Sequence, residues 1–275
     1  MPVPGSRRII APSVQRIGTL EHKSTFNKVA NLYARARPGY ADELVDDICA
    51  YAALQANDPV LEVGCGPGQA TPAFAARGFR MTALDPGDQL IRVARESLSG
   101  FSNLDFVTSP FETWDAGVAR FKLIFAAQSW HWIPREVAFA KAADLLEPEG
   151  VLAVFGHVPG RLEEPFGSIF ERVYLKHTGK WGPPPEAGYL PGGPLTKWFD
   201  DSGRFETPLH HGYAWQRTFS GSTFSDFART RSDHQMMPPE KREAMLTELQ
   251  TAIAEQGDAF DWPYETHLYM ARCRY

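Results

Sequence analysis

The chain has 275 residues, of which 43% are hydrophobic and 22% are charged, and its formal net charge is −5. This composition is typical of a globular protein with a full-sized core, built as one domain or as one domain with a large insertion. The mild acidity argues against a nucleic-acid partner, because such a partner requires a basic surface. The sequence also contains no run of 18 apolar residues that would predict a membrane-spanning helix.

The three cysteines, Cys49, Cys65 and Cys273, are far apart and lack a C-x-x-C spacing. This pattern predicts neither a disulfide framework nor a zinc site, and it favours the reducing cytoplasm. The first twenty residues contain three arginines and no acidic residue. That composition is weakly similar to a transit peptide, but no apolar core of signal-peptide length follows. We therefore expect residues 1–24 to form a disordered or loosely docked arm.

Residues 26–155 alternate between helical patterns and short apolar runs. Helices are predicted at 26–36 and 41–56, and apolar runs typical of buried strands follow at 60–63, 80–84, 104–107, 122–127 and 151–155. Segments with helical periodicity or a closing glycine separate these runs. The alternation predicts right-handed β-α-β units and therefore an α/β fold, with a doubly wound, mostly parallel sheet covered by helices on both faces.

The pattern changes after residue 155. Residues 157–205 are rich in proline, glycine and aromatic residues, and the stretch 180–194 is a long irregular connection of the kind that forms a lid. A strand is predicted at 212–220, an amphipathic helix at 238–257, and an exposed or edge strand at 265–273. We accordingly divide the chain into a core at 25–156, a substrate cap with late core elements at 157–257, and a final strand of the core sheet at 258–275.

Three glycines, Gly64, Gly66 and Gly68, follow the first apolar run and precede a helix. Glycine allows a tight turn and the close approach of a ligand, and ligands of open α/β sheets bind beyond the carboxyl ends of the strands. The spacing E-x-G-x-G-x-G differs from the dinucleotide loop G-x-G-x-x-G, and the lysine of a phosphate-binding loop is absent. Glu62 adds negative charge, which would repel a pyrophosphate and suits a partly cationic cofactor. Asp85 ends the second strand, where a carboxylate can accept both hydroxyls of a ribose.

Five stretches resemble the successive motifs of class I S-adenosylmethionine-dependent methyltransferases, namely VLEVGCGPGQAT, ALDPGDQLIRVARE, FVTSPFETW, AAQSWHWI and LLEPEGVLAVF. The stretches FNKVANLYARARPGY and AAQSWHW are similar to the small-molecule subgroup that includes trans-aconitate methyltransferases. The resemblance covers residues 25–156 well and the last third of the chain hardly at all. It implies a Rossmann-like sheet of seven strands whose last strand is antiparallel, with S-adenosylmethionine as the cofactor.

The resemblance also implies roles for individual residues. The loop from Gly64 through Cys65 and Gly66 to Gly68 would line the methionine moiety and the ribose. Glu62 would reach the amino group of the cofactor, and Asp85 would hold the ribose hydroxyls. The other residues implied to contact or border the cofactor are Tyr33, Arg37, Pro86, Gln89, Ser109, Pro110, Phe111 and Gln128. Ser109 stands where many relatives have an acidic residue that contacts the adenine amino group.

Aromatic residues after the fourth apolar run and in the cap are the candidates for binding the methyl acceptor. Trp130, Trp132 and Trp181 would form an apolar wall of the substrate pocket or belong to the core. His131 is a candidate general base near the transferred methyl group, or a hydrogen-bonded residue that shapes the pocket.

The sequence therefore predicts an S-adenosylmethionine-dependent methyltransferase of small molecules, with a carboxylate or hydroxyl oxygen as the acceptor chiefly because of the resemblance. Neither a nucleic acid, a membrane nor a metal ion is an expected partner, and a homodimer stays open. One alternative is a cyclase or a non-catalytic binding protein of the same fold. A second alternative is a nicotinamide-dependent oxidoreductase, which the spacing of the glycines disfavours.

Overall fold

A seven-stranded sheet forms the centre of the protein, of which this computed structural model describes residues 26–274. The arm predicted for residues 1–24 lies outside the described residues. The strands are β1 (Pro59–Val63), β2 (Arg80–Asp85), β3 (Leu104–Thr108), β4 (Phe121–Ala127), β5 (Leu146–Pro159), β6 (Leu209–Ser220) and β7 (Ala259–Arg272). Their order is β3-β2-β1-β4-β5-β7-β6. Strands β1 to β5 are parallel and β7 is antiparallel to both its neighbours, which confirms the predicted doubly wound sheet with its antiparallel last strand.

Helices connect the strands and cover the sheet. They are α1 (Ala30–Ala36), α2 (Asp42–Tyr51), α3 (Thr71–Ala75), α4 (Asp88–Ser97), α5 (Arg135–Leu145), α6 (Phe166–Thr178), α7 (Pro194–Ser202), α8 (Gly221–Arg229), α9 (Ser232–Gln235) and α10 (Pro239–Ala254), with 3-10 turns at Trp130–Trp132 and Pro185–Tyr189. Helix α2 begins with Asp42 and Glu43, whose negative charges suit the positive end of the helix dipole. No helix among residues 26–274 has the length and apolar character needed to cross a membrane.

The two faces of the sheet bury separate hydrophobic clusters. Val60 and Leu61 are neighbours in β1, and both are fully buried. Val60 belongs to the cluster that contains residues of α2 and α3, whereas Leu61 belongs to the cluster formed with α5 and α7. Successive side chains of a strand point to opposite faces, so the continuous apolar runs of the sequence reflect a sheet covered on both sides.

The cap has a hydrophobic cluster of its own. Phe170 of α6, Phe224 of α8 and Leu249 of α10 pack there with Phe219, near the end of β6, and Trp262, near the start of β7. Since β7 is antiparallel to β5, its first residues extend past the carboxyl end of β5, where Tyr264 pairs with Pro159. The cap therefore stands at the edge of the sheet where ligands of this fold class bind.

The final strand corrects one expectation. The stretch 265–273 was expected to be exposed or at an edge, but β7 lies between β5 and β6, and β6 is the edge strand. The polar alternation is confined to the first half of β7, while Leu268, Tyr269 and Met270 are all buried. Exposed and buried residues alternate at 259–265, almost entirely before the predicted stretch, and residues 266–271 are all buried.

Candidate functional site

A cavity opens at the carboxyl ends of β1, β2 and β4, where the strand order reverses between β1 and β4. This reversal is the position at which open α/β sheets bind their ligands. The core lines one side of the cavity through the glycine loop after β1. The other side, called the cap side, is lined by Glu186, Phe227 and Arg231 of the cap and by Tyr264 of β7. The cavity is therefore shared between the region with recognisable motifs and the region without them.

The glycine loop owes its shape to backbone conformations that favour glycine. Gly64, Gly66 and Gly68 have φ of 73°, 56° and 96°, all in the left-handed region. A Cβ on Gly64 would lie 2.5 Å from the Cβ of Ser129, so the loop packs directly against the chain after β4. A Cβ on Gly66 would meet nothing within 4 Å. Gly66 lines the cavity, so its missing side chain leaves room for a ligand.

Backbone amides hold the carboxylate of Asp85 at the end of β2. Its Oδ2 accepts a hydrogen bond from the amide of Gly66 at 2.9 Å, and its Oδ1 accepts one from the amide of Gly87 at 2.8 Å. Asp85 is only 7% exposed and lines the cavity. The glycine loop and the following turn thus hold this carboxylate in one orientation toward the ligand space.

Glu62 is a buried acid with one unsatisfied oxygen. Its Oε2 accepts a hydrogen bond from the hydroxyl of Thr71 at 2.7 Å, whereas its Oε1 is buried without a hydrogen-bond partner among the described residues. Burial raises the pKa of Glu62 to about 8, and the nearby charge of Asp85 acts in the same direction, against the opposite effect of the Thr71 hydrogen bond. A cationic ligand group would pair with the unsatisfied oxygen of Glu62 and favour the ionised carboxylate. This site therefore fits an amino group better than a phosphate.

A network around His157 ties three segments together beside the cavity. The side-chain amide of Gln128 donates to the backbone oxygen of His157 at 3.3 Å and accepts from its backbone amide at 3.0 Å. The ring Nε2 of His157 lies 3.1 Å from the carbonyl of Gly39, and its Nδ1 lies 2.7 Å from the hydroxyl of Thr266. Because burial lowers the pKa of His157 to about 3, the ring is neutral and its Nε2–H donates to Gly39. These bonds attach the segment after α1 to the sheet.

Arg37, the residue after α1, is hydrogen-bonded to the cap. Its guanidinium donates to the hydroxyl and the carbonyl of Thr230, and it lies 5.1 Å from the ring centre of Tyr33 and 4.8 Å from that of Phe227. Arg37, Tyr33 and Phe227 all line the cavity. Among the described residues Arg37 makes no ion pair with a carboxylate, so its positive charge is available to a ligand.

His131 is hydrogen-bonded to the cap. Its Nδ1 lies 3.1 Å from the hydroxyl of Tyr189, and its ring lines the cavity beside Trp132. Burial lowers the pKa of His131 to about 4, so the ring is neutral at neutral pH. The other two tryptophans lie elsewhere: Trp130 packs in the core against Phe139, and Trp181 is 42% exposed. Of the predicted aromatic wall, only Trp132 lines the cavity.

Most of the predicted cofactor residues come together in this cavity. Twelve of the fourteen line it, namely Tyr33, Arg37, Glu62, Gly64, Cys65, Gly66, Asp85, Pro86, Ser109, Pro110, Phe111 and Gln128. The exceptions are Gly68 and Gln89. A Cβ on Gly68 would point at Leu98 and not into the cavity. The backbone amide of Gln89, at the start of α4, donates a hydrogen bond to the side-chain oxygen of Asn27. The predictions were made from motifs spread over about a hundred residues, and the parallel strands bring these motifs to one edge.

Three polar residues on the cap side of the cavity, Arg231, Glu186 and Tyr264, were missed by the sequence analysis. Arg231 donates from Nε and Nη2 to Asp233, both at 3.1 Å, and its Nη1 lies 3.3 Å from Glu186. Tyr264 of β7 lines the same end of the cavity. These residues come from separate elements, and no periodicity or motif of the sequence connects them.

Comparisons with known proteins find matches to methyltransferases. Residues 60–150 match the family model described as a methyltransferase domain, so the resemblance predicted from the sequence is confirmed for this part of the chain. A trans-aconitate 2-methyltransferase of Rhodopseudomonas palustris is 33% identical over 127 residues, which are 44% of this chain and 47% of that protein. The chain thus matches about half the length of this curated relative.

Solved structures share the fold over most of the chain. A putative type II methyltransferase from Anaeromyxobacter dehalogenans has a TM-score of 0.61 at 20% identity, over 86% of this chain and 97% of that one. The [4+2]-cyclase SpnF has a TM-score of 0.53 at 18% identity, over 96% and 98% of the two chains. At these identities the likeness concerns the fold, and both a methyltransferase and a cyclase use it.

Proposed function

We propose that the protein binds S-adenosylmethionine in the cavity and transfers a methyl group to a carboxylate or hydroxyl oxygen of a small molecule. The observation that carries the proposal is the pair of acids at the ends of β1 and β2. Asp85 is oriented by two backbone amides, and one oxygen of Glu62 is buried without a hydrogen-bond partner in the part of the chain that the structure describes. A ribose diol and an amino group are the two groups that these acids would take, and S-adenosylmethionine has both.

Different residues of the cavity would then contact different parts of the cofactor. Asp85 would accept the ribose hydroxyls, and Glu62 would pair with the amino group. Gly64 and Gly66 leave the backbone open to close contact, and Arg37, which has no acidic partner among residues 26–274, is a cation that suits the cofactor carboxylate. The adenine would lie near the turn after β3, bordered by Pro86, Ser109, Pro110 and Phe111, with Gln128 at the methionine end. Every one of these residues lines the cavity.

The protein contributes alignment and exclusion of water to the reaction. Bound S-adenosylmethionine supplies a methyl group on a sulfonium, which is already a good electrophile. The chain's part is to hold the acceptor oxygen in line and to shield it from solvent, for which the cap and the segment after α1 are positioned. No base is needed when the acceptor oxygen is already ionised, as in a carboxylate.

The acceptor is proposed to be small because residues of the cap side line the same cavity as the residues proposed to hold the cofactor. Glu186 and Tyr264 are two of them, so the space left for the acceptor is bounded on both sides. The printed name of the relative, trans-aconitate 2-methyltransferase, makes a small carboxylic acid the first acceptor to test. The match covers 44% of this chain, so the acceptor of this protein is tested directly.

A cyclase that binds the same cofactor is the second candidate function, because the SpnF cyclase has the same fold. The two functions differ in one product, S-adenosylhomocysteine, which only methyl transfer releases. A nicotinamide-dependent oxidoreductase is disfavoured by the spacing of the glycines, which is E-x-G-x-G-x-G and not G-x-G-x-x-G.

The test is titration calorimetry with S-adenosylhomocysteine and with NAD, followed by incubation with labelled S-adenosylmethionine and a set of small carboxylic acids that includes trans-aconitate. We expect the adenosyl ligand to bind, NAD not to bind, and labelled methyl to appear in an acid. Tight binding of NAD without binding of S-adenosylhomocysteine would contradict the proposal. Tight binding of S-adenosylhomocysteine without methyl transfer to any acceptor class would favour the cyclase or binding-protein alternative.

A further inference from the structure

The side chain of Tyr189 is enclosed between the cap and the core. It lies in the 3-10 turn Pro185–Tyr189 and is only 3% exposed. The hydroxyl of Tyr269 donates to its backbone oxygen at 2.9 Å. Its ring lies against Gly156 of β5, where an added Cβ would be 2.9–3.0 Å from three ring carbons. The lack of a side chain at residue 156 therefore allows the Tyr189 ring to reach the core.

The hydroxyl of Tyr189 has one hydrogen-bond partner among residues 26–274. That partner is the Nδ1 of His131, at 3.1 Å. A hydroxyl carries one proton to donate and can also accept, so the distance alone leaves the direction of the bond open. Burial decides the direction, because the two arrangements differ in what they leave unsatisfied.

If the Nδ1 of His131 carried a proton and donated to Tyr189, the proton of the buried phenol would have no acceptor. A buried donor without a partner costs about 1–3 kcal/mol. If the phenol donates instead, both groups are satisfied, and the ring proton of the neutral imidazole stands on Nε2. The burial that lowers the pKa of His131 to about 4 agrees with a neutral ring that carries a single proton.

We propose that Tyr189 is a positioning residue that holds His131 with a bare Nδ1 and a protonated Nε2, so that the histidine presents an N–H donor to the cavity. The Nε2 has no protein partner among the described residues, and the ring lines the cavity, whereas Tyr189 does not. An N–H donor can hold a negatively charged oxygen but cannot remove a proton from an alcohol. In terms of the proposed function, on which this step rests, His131 would orient an acceptor that is already ionised, and it would not be a general base.

Another tyrosine–histidine pair, within the cap, provides a matched control. The hydroxyl of Tyr174 lies 3.0 Å from the Nε2 of His234, and neither residue lines the cavity. Tyr174→Phe removes a tyrosine hydroxyl that contacts a buried histidine, just as Tyr189→Phe does. It leaves His131 untouched, so any general effect of losing a tyrosine hydroxyl appears in both variants.

The experiment is long-range ¹H–¹⁵N correlation NMR of the full-length protein labelled in histidine, with and without S-adenosylhomocysteine. The ¹⁵N shift separates protonated from bare ring nitrogens, and a bare nitrogen that accepts a hydrogen bond moves to lower frequency. His131→Gln identifies the signals of His131 by their loss. We expect wild type to show a proton on Nε2 and a hydrogen-bonded, bare Nδ1.

Tyr189→Phe is expected to move the Nδ1 signal to higher frequency, and Gly156→Ala is expected to do the same because it displaces the Tyr189 ring. Tyr174→Phe is expected to change the signals of His234 and to leave those of His131 in place. A proton on Nδ1 in wild type overturns the inference, and so does an unchanged Nδ1 signal in Tyr189→Phe. Circular dichroism and the dispersion of the remaining signals establish that each variant is folded.

The two proposals fail separately. If S-adenosylhomocysteine does not bind and His131 still has a bare, hydrogen-bonded Nδ1, the proposed function fails and the assignment of the Tyr189–His131 bond stands. If S-adenosylhomocysteine binds tightly and the Nδ1 of His131 carries the proton, the proposed function stands and the assignment fails.

Discussion

The two sides of the cavity are built by different means. On the core side, a contiguous segment from Glu62 to Asp85 supplies the glycine loop and both acids, and backbone amides of that segment hold Asp85. On the cap side, Arg231, Glu186 and Tyr264 come from a connection between helices, a 3-10 turn and a strand. Local backbone geometry therefore shapes the core side, and contacts between distant parts of the chain shape the cap side. Changes on the core side should affect ligand binding with little effect on stability, and changes on the cap side should do the reverse.

The largest expected effect is on the cap side. Arg231 is 8% exposed and holds Asp233 and Glu186, so Arg231→Met leaves two carboxylates close together without their cation. Loss of one partner from a buried ion pair destabilises a protein by about 3–5 kcal/mol, and we expect a value near the lower end, about 3 kcal/mol, because Asp233 is partly exposed. Urea unfolding at pH 7 measures the loss.

The control for that change is Arg92→Met. Arg92 pairs with Glu96 on the surface of α4, with its side chain 48% exposed, and such a pair contributes about 0.5 kcal/mol or less. Equal losses in the two variants would mean that the cap does not depend on Arg231.

The second effect is on the core side. Asp85→Ala should weaken binding of S-adenosylhomocysteine by about 1.5–3 kcal/mol, the range for a hydrogen bond to a charged group, as measured by calorimetry. Asp88→Ala is the control, because Asp88 is a nearby acid that bonds to Asn27 and does not line the cavity. Unchanged affinity in Asp85→Ala would contradict the proposal that Asp85 holds the ribose hydroxyls.

A glycine pair separates strain from loss of ligand space. Gly66 and Gly117 have φ of 56° and 58°, and an added Cβ would meet nothing within 4 Å at either position. Alanine at each should cost a similar amount of stability, about 1 kcal/mol for the left-handed conformation. Only Gly66→Ala should also weaken binding of S-adenosylhomocysteine, by about tenfold or about 1.4 kcal/mol. If Gly117→Ala weakened binding as much, the loss would reflect strain and not ligand space.

Binding should also depend on pH. Because the pKa of Glu62 is raised to about 8, the carboxyl is mostly protonated at pH 6 and mostly ionised above pH 8. Pairing with an amino group requires the ionised form, so affinity for S-adenosylhomocysteine should rise from pH 6 to pH 8, by up to about tenfold per pH unit. Glu62→Gln should bind more weakly and lose most of this rise. A flat profile in wild type, measured by calorimetry, would contradict the pairing.

The same shift has a consequence for stability without ligand. The pKa of Glu62 is higher in the folded protein than its ordinary value of 4.5, so the folded state keeps a proton that the unfolded chain releases. The free energy of unfolding should therefore fall as pH rises from about 4.5 to about 8. Glu62→Gln should reduce that fall, which thermal unfolding at several pH values would detect.

The sequence predicted the strands and the glycine loop well for a physical reason. Parallel strands covered on both faces are largely apolar, so β1 and β4 appear as apolar runs interrupted only by Glu62 and Lys122. Each strand begins one residue before its predicted start and ends at the predicted residue. The positive φ of Gly64 and Gly66 is likewise a local requirement that restricts the residue type. The sequence reading of β7 was wrong about its place, because the position of a strand within a sheet depends on its neighbours.

Trp130 and Trp181 illustrate the limit on the cap side. The sequence made both tryptophans candidates for a wall of the substrate pocket. Tertiary packing instead buries Trp130 in the core and leaves Trp181 partly exposed. His131 is similar, because its sequence neighbours are compatible with a base and with a hydrogen-bonded residue. The Tyr189 hydroxyl, 58 residues further along the chain, distinguishes the two.

The sequence by itself determined the class of fold, the loop that faces the ligand and the two acids beside it, because each depends on residue types at short spacing. Only the tertiary structure decided what the cap contributes. Arg231 meets Glu186, and Tyr189 meets His131, across separations that no local pattern records. Backbone conformation is restricted by the residues that adopt it, whereas the partner of a buried polar side chain depends on how the whole chain packs.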